Sequence, residues 1–253
     1  MSGRLFIVGL GPGDASLQTP RAAEVLAQAT DVLGYIPYVA RVPERAGLVR
    51  HLTDNREEIS RARHALALAQ AGRTPAVVSS GDPGVFAMAS AVFEAIEAGD
   101  PAWREIEVEV IPGVSAMFAA AARLGAPLGH DFCALSLSDN LKPWEVVLER
   151  LTAAARAGFV IALYNPISKA RPWQLGAAFE RLREILAPET PIAFARAVSR
   201  ADERLLTTDL AQARPQDADM SSLVLIGSAQ TRRIERPDGR SWLYTRRSLE
   251  AAS

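Results

Sequence analysis

The segment Leu5-Phe6-Ile7-Val8-Gly9-Leu10-Gly11-Pro12-Gly13 places four apolar, strand-favouring residues directly before a glycine-rich turn. An uninterrupted apolar run of this length is typical of a strand buried on both faces, as in a parallel sheet. After the turn, Thr19 and Pro20 suit the N-cap and the first position of a helix that reaches about Gln28. The segment therefore predicts a strand, a tight turn and a helix, which is the building unit of an α/β fold.

The same alternation of short apolar runs and Ala-rich helical stretches continues along the 253 residues, so the predicted fold class is α/β. Further strands are predicted at 31–35, 76–79, 106–111, 132–137, 159–164, 192–198, 204–208 and 223–226. Helices are predicted at 59–71, from 84 to 99, and at 115–124, 143–156 and 173–186. The short link at 199–203 favours an antiparallel pair and hence a mixed sheet in the second half.

A stretch rich in Gly and Pro near the midpoint predicts a domain boundary. We expect an N-terminal α/β domain at 1–124 with a mainly parallel sheet, a linker at 125–131, and a C-terminal α/β domain at 132–253 with a mixed sheet. The Arg-rich tail from Thr231 is expected to be loosely held surface.

Charge and cysteine content exclude several classes of protein. Lys plus Arg (28) nearly equals Asp plus Glu (29), so no global basic field attracts nucleic acid or an anionic membrane. Cys133 has no second cysteine to pair with, and His51, His64 and His130 lack metal-ligand spacing. No apolar run approaches the roughly 20 residues that span a bilayer. We therefore expect a cytoplasmic protein with no metal site.

The glycine turn does not match a dinucleotide site, whose pattern is G-x-G-x-x-G. Asp14 stands where the last glycine should be, Pro12 lacks an N–H for a pyrophosphate, and Asp31 precedes its strand instead of ending it. This argues against a nicotinamide-dependent dehydrogenase. The turn is either simple chain reversal or a place where backbone approaches another ligand closely.

Three further predicted strands end in small residues that open a helix, at 79–84, 111–116 and 162–166, and we expect all four ends to meet at one edge. In this order and spacing they resemble the tetrapyrrole methylases, enzymes that methylate uroporphyrinogen and precorrin rings. Further segments carry the resemblance: Gly34-Tyr35 with Tyr38, 128–132, 135–139 followed by Pro143-Trp144, and Tyr164-Asn165-Pro166 with Ser168, Lys169 and Arg171. They are most similar to the ring-contracting branch.

The resemblance covers essentially the whole chain and implies two α/β domains with an active-site trough between them, and a homodimer. It implies S-adenosylmethionine as cofactor, S-adenosylhomocysteine as product, and a small-molecule tetrapyrrole substrate. The expected reaction is C17 methylation of precorrin-3B with ring contraction to precorrin-4, in cobalamin biosynthesis. A cobalt-bearing substrate, cobalt-factor III of the anaerobic route, stays open, although the lack of an added domain favours the metal-free ring.

The resemblance also implies cofactor positions: Pro12, Gly81, Asp82, Val85, Ser115, Ala116, Tyr164, Asn165, Arg196, Ala197 and Ser222. Asp82 could offset the sulfonium charge or cap the helix after Gly84, and both roles are compatible. The alternation of Ala193, Ala195 and Ala197 leaves a flat strand face, suited either to an adenine ring or to close helix packing.

Substrate and proton-transfer groups complete the expected site. Because a precorrin carries many carboxylates, local basic residues should rim the trough. The expected substrate contacts are Gly11, Gly13, Tyr35, Lys169, Arg171 and Arg200, with Arg196 as a further candidate. For the acid and base chemistry of contraction we expect His130, Asp139 and Ser136, helped by Tyr164. His130 could instead fasten the linker, and Asp139 could cap the next helix.

Other functional classes fit less well. Related folds methylate ribosomal RNA or a modified histidine on a protein, but this chain lacks interleaved basic and aromatic residues. A non-catalytic tetrapyrrole carrier would have little use for four small-residue turns. Cys133 is expected to be a small strand residue and not a nucleophile.

Overall fold

The computed structural model describes residues 3–54 and 56–248, which form two compact units that divide between Ala116 and Met117. Within these described ranges, no helix is long and apolar enough to cross a bilayer. Each unit contains a five-stranded sheet with its own hydrophobic core. The predicted α/β class is confirmed.

The first unit is built on a fully parallel sheet. Its strands are β1 (Arg4–Gly9), β2 (Asp31–Tyr35), β3 (Val49–Thr53), β4 (Pro75–Ser79) and β5 (Glu107–Ile111). They lie in the order β3-β2-β4-β1-β5. The helices that connect them are α1 (Pro20–Gln28), α2 (Ile36–Val39), α3 (Glu58–Gln70) and α4 (Met88–Ala98). Thr19 caps α1 as predicted, with its hydroxyl accepting from Ala22 N at 3.2 Å.

Strand β1 is buried on both faces, as its apolar run predicts. Leu5 and Ile7 join the core formed with α3 and α4, while Phe6 and Val8 join the core formed with α1. A parallel strand between two helical layers buries successive side chains on opposite faces. The packing of β1 within the sheet therefore fixes the position at which the Gly9–Gly13 turn leaves the strand.

Asp31, at the amino end of β2, is a buried carboxylate held by several donors. It is 1% exposed; Arg73 donates to it at 2.5 and 2.9 Å, Thr30 donates at 2.7 Å, and His51 Nε2 lies 2.9 Å from Oδ1. Burial alone would raise the pKa of Asp31, but the hydrogen bonds from Arg73, His51 and Thr30 lower it below its usual range. Asp31 thus stabilises the end of the sheet opposite the glycine turns.

Replacing Asp31 with Asn is expected to lower the free energy of unfolding by about 2 to 4 kcal/mol at pH 7, because Arg73 loses its carboxylate partner. The folded-state pKa lies below the unfolded value of roughly 3.9, so the wild-type advantage is complete well above that pH and is lost as the pH falls through and below about 4. Urea unfolding of both proteins between pH 7 and pH 3 measures this. A difference that stays constant over this range would contradict the assignment.

The second unit holds a mixed sheet and a small third sheet. Its strands are β6 (Gly125–Ala126), β7 (Phe132–Ser136), β8 (Val160–Tyr164), β9 (Pro191–Arg196), β10 (Arg204–Asp209), β11 (Ser222–Ile226), β12 (Thr231–Glu235) and β13 (Ser241–Thr245). Its helices are α5 (Ala116–Leu124), which crosses the division, α6 (Trp144–Arg156) and α7 (Gln174–Arg183). The mixed sheet has the order β10-β9-β11-β8-β7, with β7 and β8 parallel and the other neighbours antiparallel. This confirms the predicted antiparallel pair.

The expectation of a loose tail from Thr231 is wrong for residues 231–248, and its last five positions, 249–253, lie outside the described residues. Strands β12 and β13 form an antiparallel hairpin, and β13 also pairs with β6. Thr231, Leu243 and Thr245 are buried, and the Thr245 hydroxyl donates to Pro127 O at 2.5 Å. Consecutive arginines on β12, Arg232 partly buried and Arg233 exposed, gave the sequence no alternation of apolar and polar residues.

The two compact units divide after Ala116, the first residue of α5, which is earlier than the predicted linker at 125–131. Helix α5 belongs with the second unit because Met117 N donates to the Tyr164 hydroxyl at 3.1 Å and Phe118 meets Phe132 edge to face. Gly125 and Ala126 are paired with β13 and so are part of a sheet. The Gly and Pro residues of this stretch mark a turn within the second unit.

Candidate active site

Three glycines pack backbone against backbone where β1, β4 and β5 end. A Cβ added to Gly113 would lie 2.2 Å from Gly81 O, and one added to Gly9 would lie 2.6 Å from the same oxygen. Side-chain carbon atoms do not approach backbone oxygens this closely, so only glycine fits at Gly9 and Gly113. The predicted convergence of small-residue turns is therefore real for these three strand ends.

The turn after β1 is bridged to the turn after β4. Gly11 N donates to Gly81 O at 3.2 Å, and Gly81 N donates to Gly11 O at 2.9 Å. Both residues have φ of +69°, which favours glycine. Pro12, which follows Gly11, is buried, and Gly13 is partly exposed. The shape of the Gly9–Gly13 turn thus depends on β4 as well as on β1.

Asp82 ties the turn after β4 to the turn after β5. Its Oδ1 accepts from Gly84 N at 2.8 Å, and its Oδ2 accepts from Gly113 N at 3.0 Å. The expectation that Asp82 caps a helix starting after Gly84 is wrong, because α4 begins at Met88 and Ala87 is its N-cap. Phe86 has φ of +51°, which interrupts helical geometry between Asp82 and Met88. The carboxylate holds two turns together instead.

Val85, Ser115, Ala116 and Tyr35 reach the same edge of the first sheet. Val85 follows the Asp82 turn, while Ser115 is buried and Ala116 partly buried after β5. Tyr35 ends β2 and meets Tyr38 edge to face at 5.4 Å between ring centroids. All first-unit positions that the resemblance assigns to cofactor or substrate therefore lie where parallel strands end, the usual position for α/β sites.

Arg41 is a contributor to this edge that the sequence analysis missed. It follows α2, and its guanidinium donates to Leu10 O at 2.6 Å and Gly11 O at 3.0 Å, with longer contacts to Gly13 O at 3.4 Å and Ser80 Oγ at 3.3 Å. A single arginine beyond a strand end has no pattern that predicts a role. Only the fold brings it to the glycine turn.

The fourth predicted turn lies on the second unit. Tyr164 and Asn165 end β8, which belongs to the mixed sheet, so the expectation that all four turns share one edge is wrong. Periodicity cannot tell which sheet a strand joins. Asn165 has φ of +51°, and its Nδ2 donates to Ser136 Oγ at 2.9 Å. Ser136 ends the neighbouring strand β7, so the two strand ends are hydrogen-bonded to each other.

Arg196, Ala197 and Ser222 lie at this same edge of the mixed sheet. Ser222 pairs with Arg196 in the register of β11 and β9, and β9 runs in the same direction as β8. Arg196 donates to Asp219 at 2.6 Å and to Asp202 at 2.8 Å, and the hydrogen bonds to these carboxylates raise the pKa of Arg196. Its charge is thus already paired. Ala197 has φ of +48°, a strained conformation for alanine at the end of β9.

The alanine face of β9 is clearly separated from its large residues. Phe194 lies in the core beneath α6 and α7, whereas Ala193 and Ala195 point to the opposite face. Both alanines are buried. The predicted alternation is confirmed.

Asp139 sits beyond the carboxyl end of β7 within a polar cluster. Gln174 Nε2 donates to its Oδ2 at 3.3 Å, and Arg171 Nη1 lies 4.0 Å from its Oδ1. Gln174 is 1% exposed, and its Oε1, like Arg171 Nη1, has no hydrogen-bond partner in the part of the chain that the structure describes. Asp139 does not cap α6, whose N-cap is Pro143. Lys169, which precedes Arg171 by two residues, is exposed. Arg200, in the turn after β9, is exposed as well.

His130 lies at the other end of β7 from Ser136 and Asp139. A five-residue strand spans roughly 13 to 17 Å, so the imidazole and the Asp139 carboxylate are not neighbours. His130 Nδ1 lies 3.6 Å from Asp131. The structure does not bring the expected acid–base pair together. On β7 itself, Cys133 is partly buried, and burial raises the pKa of its thiol, which disfavours the nucleophilic thiolate.

Comparison with known proteins identifies the family of the chain. The family model for tetrapyrrole (corrin/porphyrin) methylases matches residues 4–214. The chain belongs to this family. A precorrin-3B C(17)-methyltransferase from Sinorhizobium sp is 55% identical over 253 residues, covering 100% of both chains. A probable cobalt-factor III C(17)-methyltransferase from Salmonella typhimurium is 40% identical, over 90% of this chain and 93% of that protein.

A solved structure extends the comparison to the fold. The crystal structure of the methyltransferase CobJ is 53% identical and has a TM-score of 0.93, over 97% of this chain and 100% of that one. The tetrapyrrole methylase fold and the methyltransferase class that the sequence predicted are thereby confirmed.

Proposed function

We propose that this methyltransferase methylates C17 of precorrin-3B with contraction of the macrocycle to precorrin-4, in cobalamin biosynthesis. One observation carries the proposal, namely 55% identity over the full length of both chains with a precorrin-3B C(17)-methyltransferase. Identity with the cobalt-factor III relative from Salmonella is lower, at 40%. The metal-free ring is therefore the favoured substrate over the cobalt-bearing one.

The proposed methyl donor is S-adenosylmethionine. On the first unit we assign to it Pro12, Gly81, Asp82, Val85, Ser115 and Ala116. On the second unit we assign to it Tyr164, Asn165, Arg196, Ala197 and Ser222. Backbone packs closely against backbone where Gly9 and Gly113 leave no room for side chains, which suits a ligand held by main-chain groups. Strained Asn165 and Ala197 support a ligand-binding role, since such backbone clusters at functional sites.

Methyl transfer requires positioning more than a protein nucleophile. A bond forms between C17 and the methyl carbon while the methyl–sulfur bond breaks, and its electron pair stays on sulfur as a neutral thioether. Holding the two reactants at near-attack distance can contribute on the order of 7 to 11 kcal/mol. Rigid turns such as those joined by Asp82 are suited to that task.

Ring contraction expels a meso carbon within an acetyl group and needs protons moved on and off oxygen. We propose Asp139 for this step, with Ser136 and Tyr164 near the same sheet edge. Gln174 and Arg171 both face the Asp139 carboxylate and would keep it oriented. His130, at the opposite edge, is assigned no direct part in the same step.

Asp139→Asn is expected to lower kcat for precorrin-4 formation by about 100-fold or more, the usual contribution of general acid–base catalysis. His130→Ala is the matched comparison and should change kcat by less than about threefold. Mass spectrometry and absorbance of the product separate methylation from contraction. Equal losses in the two variants, or full activity of Asp139→Asn, would contradict this assignment.

The substrate carboxylates need basic partners, for which we propose Lys169, Arg171 and Arg200, with Gly11, Gly13 and Tyr35 as the remaining substrate contacts. Arg171 is partly buried beside Asp139, so it could both orient that carboxylate and meet the ring. Arg196 is removed from the candidates for substrate binding because Asp202 and Asp219 already hold its guanidinium.

Incubation with labelled S-adenosylmethionine and precorrin-3B tests the proposed function directly. The expected product is precorrin-4 carrying one labelled methyl group. Label on cobalt-factor III in preference to precorrin-3B, on RNA or protein, or on none of them would overturn the proposal.

We further propose a cytoplasmic homodimer, for which sedimentation equilibrium should give twice the chain mass of 27.2 kDa.

A further inference from the structure

Arg41 forms an unusual set of contacts with a single turn. Nη2 donates to Leu10 O at 2.6 Å and reaches Gly13 O at 3.4 Å, while Nη1 donates to Gly11 O at 3.0 Å. Three carbonyl oxygens of the segment after β1 thus converge on one guanidinium. Nη1 also lies 3.3 Å from Ser80 Oγ, in the turn after β4.

The chemistry of the turn explains why an arginine is placed there. Pro12 supplies no N–H, and Gly11 N and Gly81 N are used in the bridge between the two turns. The carbonyl oxygens of Leu10, Gly11 and Gly13 accept from the planar fork of Arg41, whose donors reach several acceptors in a fixed geometry. A lysine ammonium in the same place would be a point charge without that fork.

We infer that Arg41 is a positioning residue for the tetrapyrrole. By holding the Gly11–Gly13 turn against the turn after β4, it fixes the backbone that we assign to the substrate. It also ties both turns to the segment that follows Tyr35, the last residue of β2. This inference rests on the proposed function, because Gly11, Gly13 and Tyr35 are substrate contacts only if that function is right.

The experiment compares Arg41→Met and Arg41→Lys with Arg45→Met. Arg45 is a matched control because it donates to the backbone oxygens of Leu26 and Ala29 on the same unit, and no contact joins it to the glycine turn among the hydrogen bonds described. The measurements are kcat, KM for precorrin-3B, Kd for S-adenosylmethionine by calorimetry, and Tm.

Arg41→Met is expected to raise KM for precorrin-3B at least tenfold and to raise the cofactor Kd by a smaller factor, because Pro12 of the same turn is assigned to the cofactor, and Arg41→Lys is expected to recover only part of the loss in KM. Arg45→Met should lower Tm without moving KM. The inference is overturned if Arg41→Met and Arg45→Met change KM alike. Arg41→Lys supplies a second test should Arg41→Met fail to fold, and a wild-type KM in Arg41→Lys would also overturn the inference. Absence of turnover by the wild-type enzyme would refute the proposed function itself.

Discussion

Gly113→Ala is expected to abolish methylation and to destabilise the first unit. The new Cβ would lie 2.2 Å from Gly81 O and 3.0 Å from Gly9 C, so one of three interlocked turns must move. Overpacking of this kind costs typically 1 to 3 kcal/mol, and more where the neighbours are backbone. Since the proposed cofactor contacts lie on the same turns, we expect S-adenosylmethionine affinity to fall at least 100-fold. Urea unfolding and calorimetry measure the two effects.

Gly176→Ala is the control for the exchange of glycine for alanine. Gly176 lies in α7, where an added Cβ would be 3.5 Å from Pro215 Cγ, an ordinary contact. Alanine in a helix interior is favoured over glycine by roughly 0.5 to 1 kcal/mol, so this variant should be as stable as the wild type or more so. Wild-type stability and cofactor affinity in Gly113→Ala would refute the close-packing argument.

Helices and strands with a clear apolar run or a clear capping pattern were predicted correctly from the sequence. The run at Leu5–Val8 has no polar interruption, and Thr19 with Pro20 marks a helix start, so both elements lie where expected. Strand β3 was missed because Arg50 and His51 interrupt its apolar character on the edge of the sheet. Elements whose burial is only partial leave a weak pattern.

Features that depend on pairing between distant segments could not be predicted in this way. The small sheet joins Gly125 and Ala126 to Leu243 and Tyr244, which no local period reveals. The late start of α4 follows from the Asp82 hydrogen bonds and from Phe86 at positive φ, both of which are set by tertiary contacts. The sequence predicted that the glycine turns converge on one edge, but not that Gly9, Gly81 and Gly113 pack backbone against backbone there.

The candidate site shows the same difference between features that local sequence predicts and features that depend on distant contacts. The resemblance supplied residue types, and the first-unit positions do share one sheet edge. Residue types alone did not show that Arg196 is already paired, that His130 and Asp139 lie at opposite ends of β7, or that Arg41 holds the glycine turn. These facts are geometric, and they changed which residues are assigned to substrate and to proton transfer.

Asp82→Asn is expected to weaken S-adenosylmethionine binding by about 10- to 100-fold, which corresponds to about 1.4 to 2.8 kcal/mol. Both carboxylate oxygens accept backbone N–H groups, from Gly84 and from Gly113, and an amide can satisfy only one of them. Its NH2 group would face the other N–H, donor against donor, and leave that group unsatisfied. The turns after β4 and β5 would then separate.

Asp100→Asn separates this effect from the mere loss of a carboxylate. Asp100 Oδ1 accepts from Ala102 N at 2.9 Å, a single backbone contact that an asparagine oxygen can reproduce, and its Oδ2 accepts an exposed side-chain bond from Gln70 at 3.3 Å. No part of the proposed site uses this position. Its cofactor affinity should equal that of the wild type. If Asp82→Asn also binds S-adenosylmethionine normally, the carboxylate is dispensable for the cofactor. If instead affinity falls while Tm is unchanged, the charge of Asp82 acts directly on the bound sulfonium and not through the two turns.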